Sequence, residues 1–219
     1  MRLLRRWTEP APDWEGWSDD EVVDVPVAAF ALRTYLEQAE VRRYLDLVVR
    51  ERGGERLLRA CDLGAGFGRL TPVLAERAKE VLAFEREPEM VMQARALMPD
   101  VSWRQVRQLA QLPTAGASCD FVLSFTVLQH LTDPVADEVC REIRRVLRSP
   151  GFALLCEETD EDHRAGQALD PLRKCTVGRS VARYEQLMAP MRLVETSPRR
   201  IEPTYPRPDV GTYMLFGTG

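Results

Sequence analysis

Lysine is almost missing from this chain: two of its 30 basic residues are lysines, Lys79 and Lys174, and the rest are arginines. Such a bias follows from a GC-rich bacterial genome and says nothing about chemistry. Nor is there a surplus of basic charge, since 34 acidic residues leave a net charge of -4 and an isoelectric point near 5.4, so nothing calls for nucleic acid as a partner. Histidine is scarce too: His130 and His163 stand apart, and the five cysteines (Cys61, Cys119, Cys140, Cys156, Cys175) form no C-x-x-C pair. No metal-ligand spacing results, so no metal is expected, and thiols placed mostly in apolar runs suit a reducing compartment. No apolar run nears the roughly 18 to 20 residues of a membrane span, and the N-terminus lacks a signal peptide's apolar core, so a cytoplasmic protein without a membrane partner is expected. There is no internal repeat.

What is present has the composition of a folded protein, 45% hydrophobic and 29% charged over 219 residues, enough for one sizeable core and therefore for one domain. Residues 1–27, with Trp7, Trp14, Trp17 and three prolines, read as an irregular arm. From Ala28 to Arg50, Leu32, Tyr35, Leu36, Ala39, Leu45, Val48 and Val49 recur near helical spacing, giving one long helix or two short ones before Gly53-Gly54. The period then changes. LLRACDL (57–63), VLAF (81–84), DFVLSF (120–125) and FALLCE (152–157) are continuous apolar runs of strand length. Amphipathic stretches alternate with them: Leu70, Val73 and Leu74 line the first, Val91, Ala94 and Leu97 the second, and Val135, Val139, Ile143, Val146 and Leu147 the third. Alternation of this kind predicts a parallel sheet with helices on both faces and ligands at the carboxyl ends of its strands. The stretch EETDEDHRAGQALDPLRKCTVG (157–178) is polar and too long for a turn, as expected of a lid or substrate segment. A helix near Ser180–Met188 and two last strands, RLVETSPRRIEP and GTYMLFG, complete the pattern as an antiparallel pair closing the sheet.

The segment ACDLGAGFGRLTPVLAE carries the chemistry: a strand ends in Asp62 and passes through Gly64, Gly66 and Gly68 into a helix. Glycines there let the backbone turn sharply and approach a ligand, while the N–H groups of the next helix favour an anion. The dinucleotide spacing G-x-G-x-x-G is broken because Arg69 stands where its third glycine belongs, and no Walker lysine follows. Glu85 closes the next strand, where a carboxylate can accept hydrogen bonds from both hydroxyls of a ribose.

Taken in order, DLGAGFGR, VLAFEREPEM, the QLAQLP stretch and CDFVLSFTVLQHLTDP followed by PGFALL resemble the class I S-adenosylmethionine-dependent methyltransferases over roughly residues 57 to 157. The resemblance implies a doubly wound Rossmann-like α/β fold, a mostly parallel seven-stranded sheet with an antiparallel C-terminal edge strand and an N-terminal helical cap. It implies one methyltransferase domain over 1–219: arm and cap at 1–56, cofactor core at 57–157, substrate lid segment at 158–190 and final strands at 191–219. S-adenosylmethionine would be the cofactor and S-adenosylhomocysteine the product. Asp62, Gly64 and Gly66 would border it, Arg69 would pair with its methionine carboxylate, and Glu85 would hold the ribose. Arg86 would lie beside the adenine, Gln108 and Leu109 along its edge and face, and Ser124 with Phe125 under the methionine part. Where the family often has Asp, this chain has Gln108.

His130 is the histidine nearest the predicted strand ends; it either takes a proton from an acceptor hydroxyl or amine, or packs under the following helix. Glu157 and Glu158 follow the fourth run and either contact the acceptor or form a solvated rim. Tyr35 either closes over the sulfonium by a cation–π contact or packs. The expected activity is methyl transfer to an O or N atom of a small-molecule acceptor by in-line displacement, in a monomer or homodimer. GRLT and QHLTD also resemble the enzymes that methylate protein amino termini, the second expectation; a binding module that kept the fold without turnover is the third.

Overall fold

The structure, a computed structural model, describes residues 27–162, 176–200 and 211–219. The expectations for the arm with its three tryptophans, His163, Cys175, the lid segment over 163–175 and the IEP end of RLVETSPRRIEP lie outside the described residues. Thirteen elements follow in order: α1 (Val27–Glu51), β1 (Leu57–Leu63), α2 (Thr71–Arg77), β2 (Ala78–Glu85), α3 (Pro88–Leu97), β3 (Ser102–Gln105), β4 (Cys119–Phe125), a 3-10 turn (Leu128–His130), α4 (Asp133–Val146), β5 (Leu147–Glu157), α5 (Val181–Met188), β6 (Arg192–Pro198) and β7 (Thr212–Gly217). None of the described helices is long and apolar enough to cross a membrane.

The strands form one seven-stranded sheet in the order β3-β2-β1-β4-β5-β7-β6, parallel from β3 to β5. β7 runs antiparallel to both β5 and β6, so the C-terminal pair closes this end with the later strand one place in from the edge. Strand order reverses between β1 and β4, which fixes the crevice at their carboxyl ends.

Both faces of the sheet are covered, which is why its central strands are largely apolar. Along β4, Phe121, Leu123 and Phe125 pack with α1 and α2, while Cys119 and Val122 pack with α4, alongside α5. The α4 stripe of Ala136, Val139, Cys140, Ile143 and Val146 is buried as its spacing requires. Helix α1 is continuous and docks through Val41, Tyr44, Leu45 and Val48. Leu32, Tyr35 and Leu36 were expected on that face but are exposed, at 45, 68 and 37%. At about 100° per residue Leu32 lies opposite Val41 and Tyr35 about 120° from it, so both leave the docked stripe. Leu97 is also exposed, at 72%, because the short α3 buries Val91 and Ala94 and its last turn rotates away.

Candidate functional site

The carboxyl ends of β1, β2 and β4 open into a cleft of about 150 Å³, the place the fold reserves for ligands. Its floor is the loop after β1. Gly64 adopts φ 67°, and a side chain there would put its Cβ 2.6 Å from Cγ2 of Val127 in the loop after β4. Glycine therefore lets the two ligand-facing loops touch. Gly66 donates its backbone N–H to Oε2 of Glu85 at 2.7 Å, joining this loop to the end of β2.

Glu85 is 6% exposed and held by backbone alone: Arg86 and Glu87 N–H donate to Oε1 at 2.8 and 2.9 Å. Three of about four lone-pair directions are taken, which fixes the carboxylate and leaves acceptor capacity on Oε2 for a hydroxyl donor. Asp62 lies beneath the glycine loop, nearly buried, and accepts Thr71 Oγ1–H at 2.6 Å. Burial pushes its carboxyl up to about 6 against the opposing pull of the Thr71 bond.

Arg69 lines the cleft, with its guanidinium 5.2 Å from the centre of the Phe125 ring and ion-paired to Glu37 of α1. Glu37 is 1% exposed and meets three guanidiniums, adding Arg33 at 3.0 Å and Arg199 at 2.5 Å. Burial alone would raise its carboxyl, but Arg199, Arg69 and Arg33 together bring it below the usual carboxylate value. Arg199 also lies over Phe125, at 4.9 Å. Helical phase carried this signal, since Glu37 falls about 40° from Val41 on the docked stripe, where a lone carboxylate demands cations. The sequence reading passed over it.

The third wall is the loop after β4. Thr126 holds φ 54°, a left-handed conformation that a β-branched residue adopts only when its surroundings impose it. Its N–H donates to Cys156 O at 2.7 Å. Beyond it Val127, His130 and Leu131 line the cleft.

Asp62, Gly64, Gly66, Arg69, Glu85, Arg86, Leu109, Phe125 and His130 thus converge on one cleft. Gln108 does not: it is exposed outside the cleft, and Arg107 lines it beside Leu109 instead. A one-residue change of phase in irregular backbone after β3 turned the side chain away. Ser124 is wholly buried and donates to Glu157 Oε1 at 2.9 Å, because alternation along β4 points it to the α4 face while Phe125 points to the site. Glu157 and Glu158 are likewise buried, and neither lines the cleft nor forms a solvated rim. Tyr35 is also outside it. Met90, Phe67 and Thr126, which line the cleft, were missed, being apolar or small residues without a sequence signature. Among the described residues no group of His, Cys, Asp and Glu could hold a metal.

Acceptor carboxylate, guanidinium and apolar surface (Met90, Leu109, Phe125) are together the chemistry that a ribose, an amino-acid carboxylate and a flat base require. A family model described as "Methyltransferase domain" matches residues 61–155. A probable S-adenosylmethionine-dependent methyltransferase of Mycobacterium tuberculosis is 34% identical over 94 residues, 43% of this chain and 33% of that protein. The chain thus spans about a third of this curated relative. Among solved structures, a Leishmania major S-adenosylmethionine-dependent methyltransferase superposes with a TM-score of 0.66 at 17% identity, over 84% of this chain and 72% of that one. The N-methyltransferase NodS of Bradyrhizobium japonicum, in complex with S-adenosylhomocysteine, gives 0.64 at 17% identity, over 82% and 86%.

Proposed function

We propose that this chain, which carries a class I S-adenosylmethionine-dependent methyltransferase domain with S-adenosylmethionine as its cofactor, methylates an O or N atom of a small-molecule acceptor. The observation that carries the reading is the junction of Gly66 and Glu85, where a glycine loop and a backbone-locked carboxylate meet at the switch point of the sheet. Bound there, the cofactor supplies an electrophilic methyl group on a sulfonium, open to in-line displacement by an acceptor lone pair.

In this reading Glu85 accepts from the ribose, Leu109 and Met90 flank the base, and Arg69 attracts the methionine carboxylate. Arg69 does so while shared with Glu37, so α1 and the cofactor compete for one guanidinium. Phe125, Val127 and Leu131 exclude water from the reacting end. His130 faces the same space and takes the acceptor's proton when the acceptor is a hydroxyl or a protonated amine.

The test is incubation of the purified protein with S-adenosylmethionine carrying a labelled methyl group and either a small-metabolite extract or a panel of peptides with free amino termini. Label entering small molecules supports the proposal. Label entering only the peptides replaces it with amino-terminal methylation, and label in neither pool leaves a binding module.

A further inference from the structure

The loop after β4 supplies Thr126, Val127, His130 and Leu131 to the cleft, and its conformation is not of its own making. From below, Glu157 at the end of β5 accepts N–H bonds from Val127 at 3.2 Å and Gln129 at 3.1 Å, and Ser124 Oγ–H at 2.9 Å. From the other side Arg179 reaches in, 1% exposed. It donates from Nη1 to Leu128 O at 2.8 Å, from Nη2 to Leu131 O at 2.5 Å, and from Nε to Asp133 Oδ1 at 2.8 Å. An anion thus collects the loop's N–H groups and a cation its carbonyls, with His130 between the two sets. Gln129 adds a cross-tie, accepting Val177 N–H on its backbone oxygen at 2.7 Å and Glu158 N–H on Oε1 at 2.9 Å.

The cost of this arrangement is visible. Burial pushes the Glu157 carboxyl up to about 7, even with the loop's N–H groups pulling it down. Burial, with the Glu157 charge adding to it, pushes the Tyr184 hydroxyl well above its ordinary value. An apolar core would stabilise the fold without either expense, so two opposite charges taken out of water on two sides of one loop suggest that a single loop conformation is what they secure.

We propose that Glu157 and Arg179 are the positioning pair of this site, fixing the loop so that His130 presents its imidazole to the acceptor; this rests on the proton-accepting role of His130 given above. Neither residue touches the cleft, and both act through the loop.

The test follows the His130 ring by NMR in a His163→Gln background of the 219-residue chain, where it gives the one histidine resonance. Arg179→Lys keeps the charge but cannot span three acceptors in a fixed fork, so any change at His130 reports geometry rather than field. The expected result is a broadened or displaced ring signal with a titration midpoint moved by about half a pH unit or more. Affinity for S-adenosylhomocysteine, measured by calorimetry, should stay within about threefold. Ser124→Ala, a neutral change that removes one of the two bonds on Glu157 Oε1, should move the signal the same way by less, and it decides the matter if Arg179→Lys does not fold. An unchanged ring signal in the folded variants overturns the proposal, as does an affinity loss in step with the ring change. Failure of the parent protein to bind S-adenosylhomocysteine would instead overturn the methyltransferase reading and leave the ring comparison valid.

Discussion

In the proposed reading, cofactor binding turns on Glu85 and Gly64. Replacing Glu85 with Ala removes the acceptor at the end of β2 and releases the N–H groups of Gly66, Arg86 and Glu87. Loss of charged hydrogen bonds worth about 1.5–3 kcal/mol each should weaken S-adenosylhomocysteine binding by at least about tenfold, read by calorimetry. Gly64→Ala introduces a Cβ at φ 67° and 2.6 Å from Val127. Strain of this kind costs about 1–3 kcal/mol, which denaturant unfolding should show, with weaker cofactor binding because the two loops are pushed apart. At this scale sequence and structure agree where backbone chemistry dictates the residue: glycines at left-handed positions and an acid ending a strand are legible. They part where only side-chain phase decides, so Ser124 and Gln108 turned away although their neighbours Phe125 and Leu109 reached the cleft.

Among the elements, α1 differs most from expectation. Its apolar residues suggested a broad stripe, yet the first turns expose Leu32, Tyr35 and Leu36 and bury Glu37. The helix is pinned above the glycine loop by that carboxylate's bonds to Arg69 and Arg199, and by Gln38 Nε2–H donating to Arg69 O at 2.7 Å. Glu37→Ala takes the shared anion from Arg33, Arg69 and Arg199, the last two of which lie over the Phe125 ring. Breaking a buried pair from one side costs about 3–5 kcal/mol, so chemical denaturation should show a loss of that size. Arg42→Ala, on the same helix but paired with Glu76 in an exposed setting, should cost well under about 1 kcal/mol. Such networks escape a reading of the sequence because Arg199 lies 162 positions from Glu37, and only the sheet's closure by β6 and β7 brings it there. β3 was equally hard to see: its four residues, SWRQ, bury one apolar side chain, Trp103, and give no continuous run.

Over the whole molecule, the opposed carboxyls set how stability changes with acidity. Asp62 at about 6 and Glu157 at about 7 hold protons in the folded chain at pH values where the unfolded chain has released them. Stability therefore falls as pH rises from the ordinary carboxylate value through these two, between about pH 4.5 and 7. Glu37 acts in the opposite sense at lower pH: its folded value is depressed, so its contribution is present above the ordinary carboxylate value and lost as pH falls through the folded one. Melting temperatures across pH 4 to 8 should decline over the upper part of that range. Glu157→Gln should flatten the decline while lowering the maximum, because an amide cannot accept all the N–H bonds the carboxylate does; an equally steep decline in this variant would assign the effect elsewhere. The cofactor half of the fold was readable because glycine loop, acid and strand order are imposed by the ligand and the backbone. The surroundings of the cleft, α1 with Glu37 and the segment around Val177, are held by long-range contacts that leave no local pattern.

Calorimetric titration decides whether the Gly66–Glu85 junction is a site for S-adenosylmethionine. The purified chain should bind S-adenosylmethionine and S-adenosylhomocysteine, with NAD giving no heat of binding and Glu85→Ala losing both sulfur ligands. No binding of either sulfur ligand by the parent protein, or undiminished binding by a folded Glu85→Ala, would contradict that assignment.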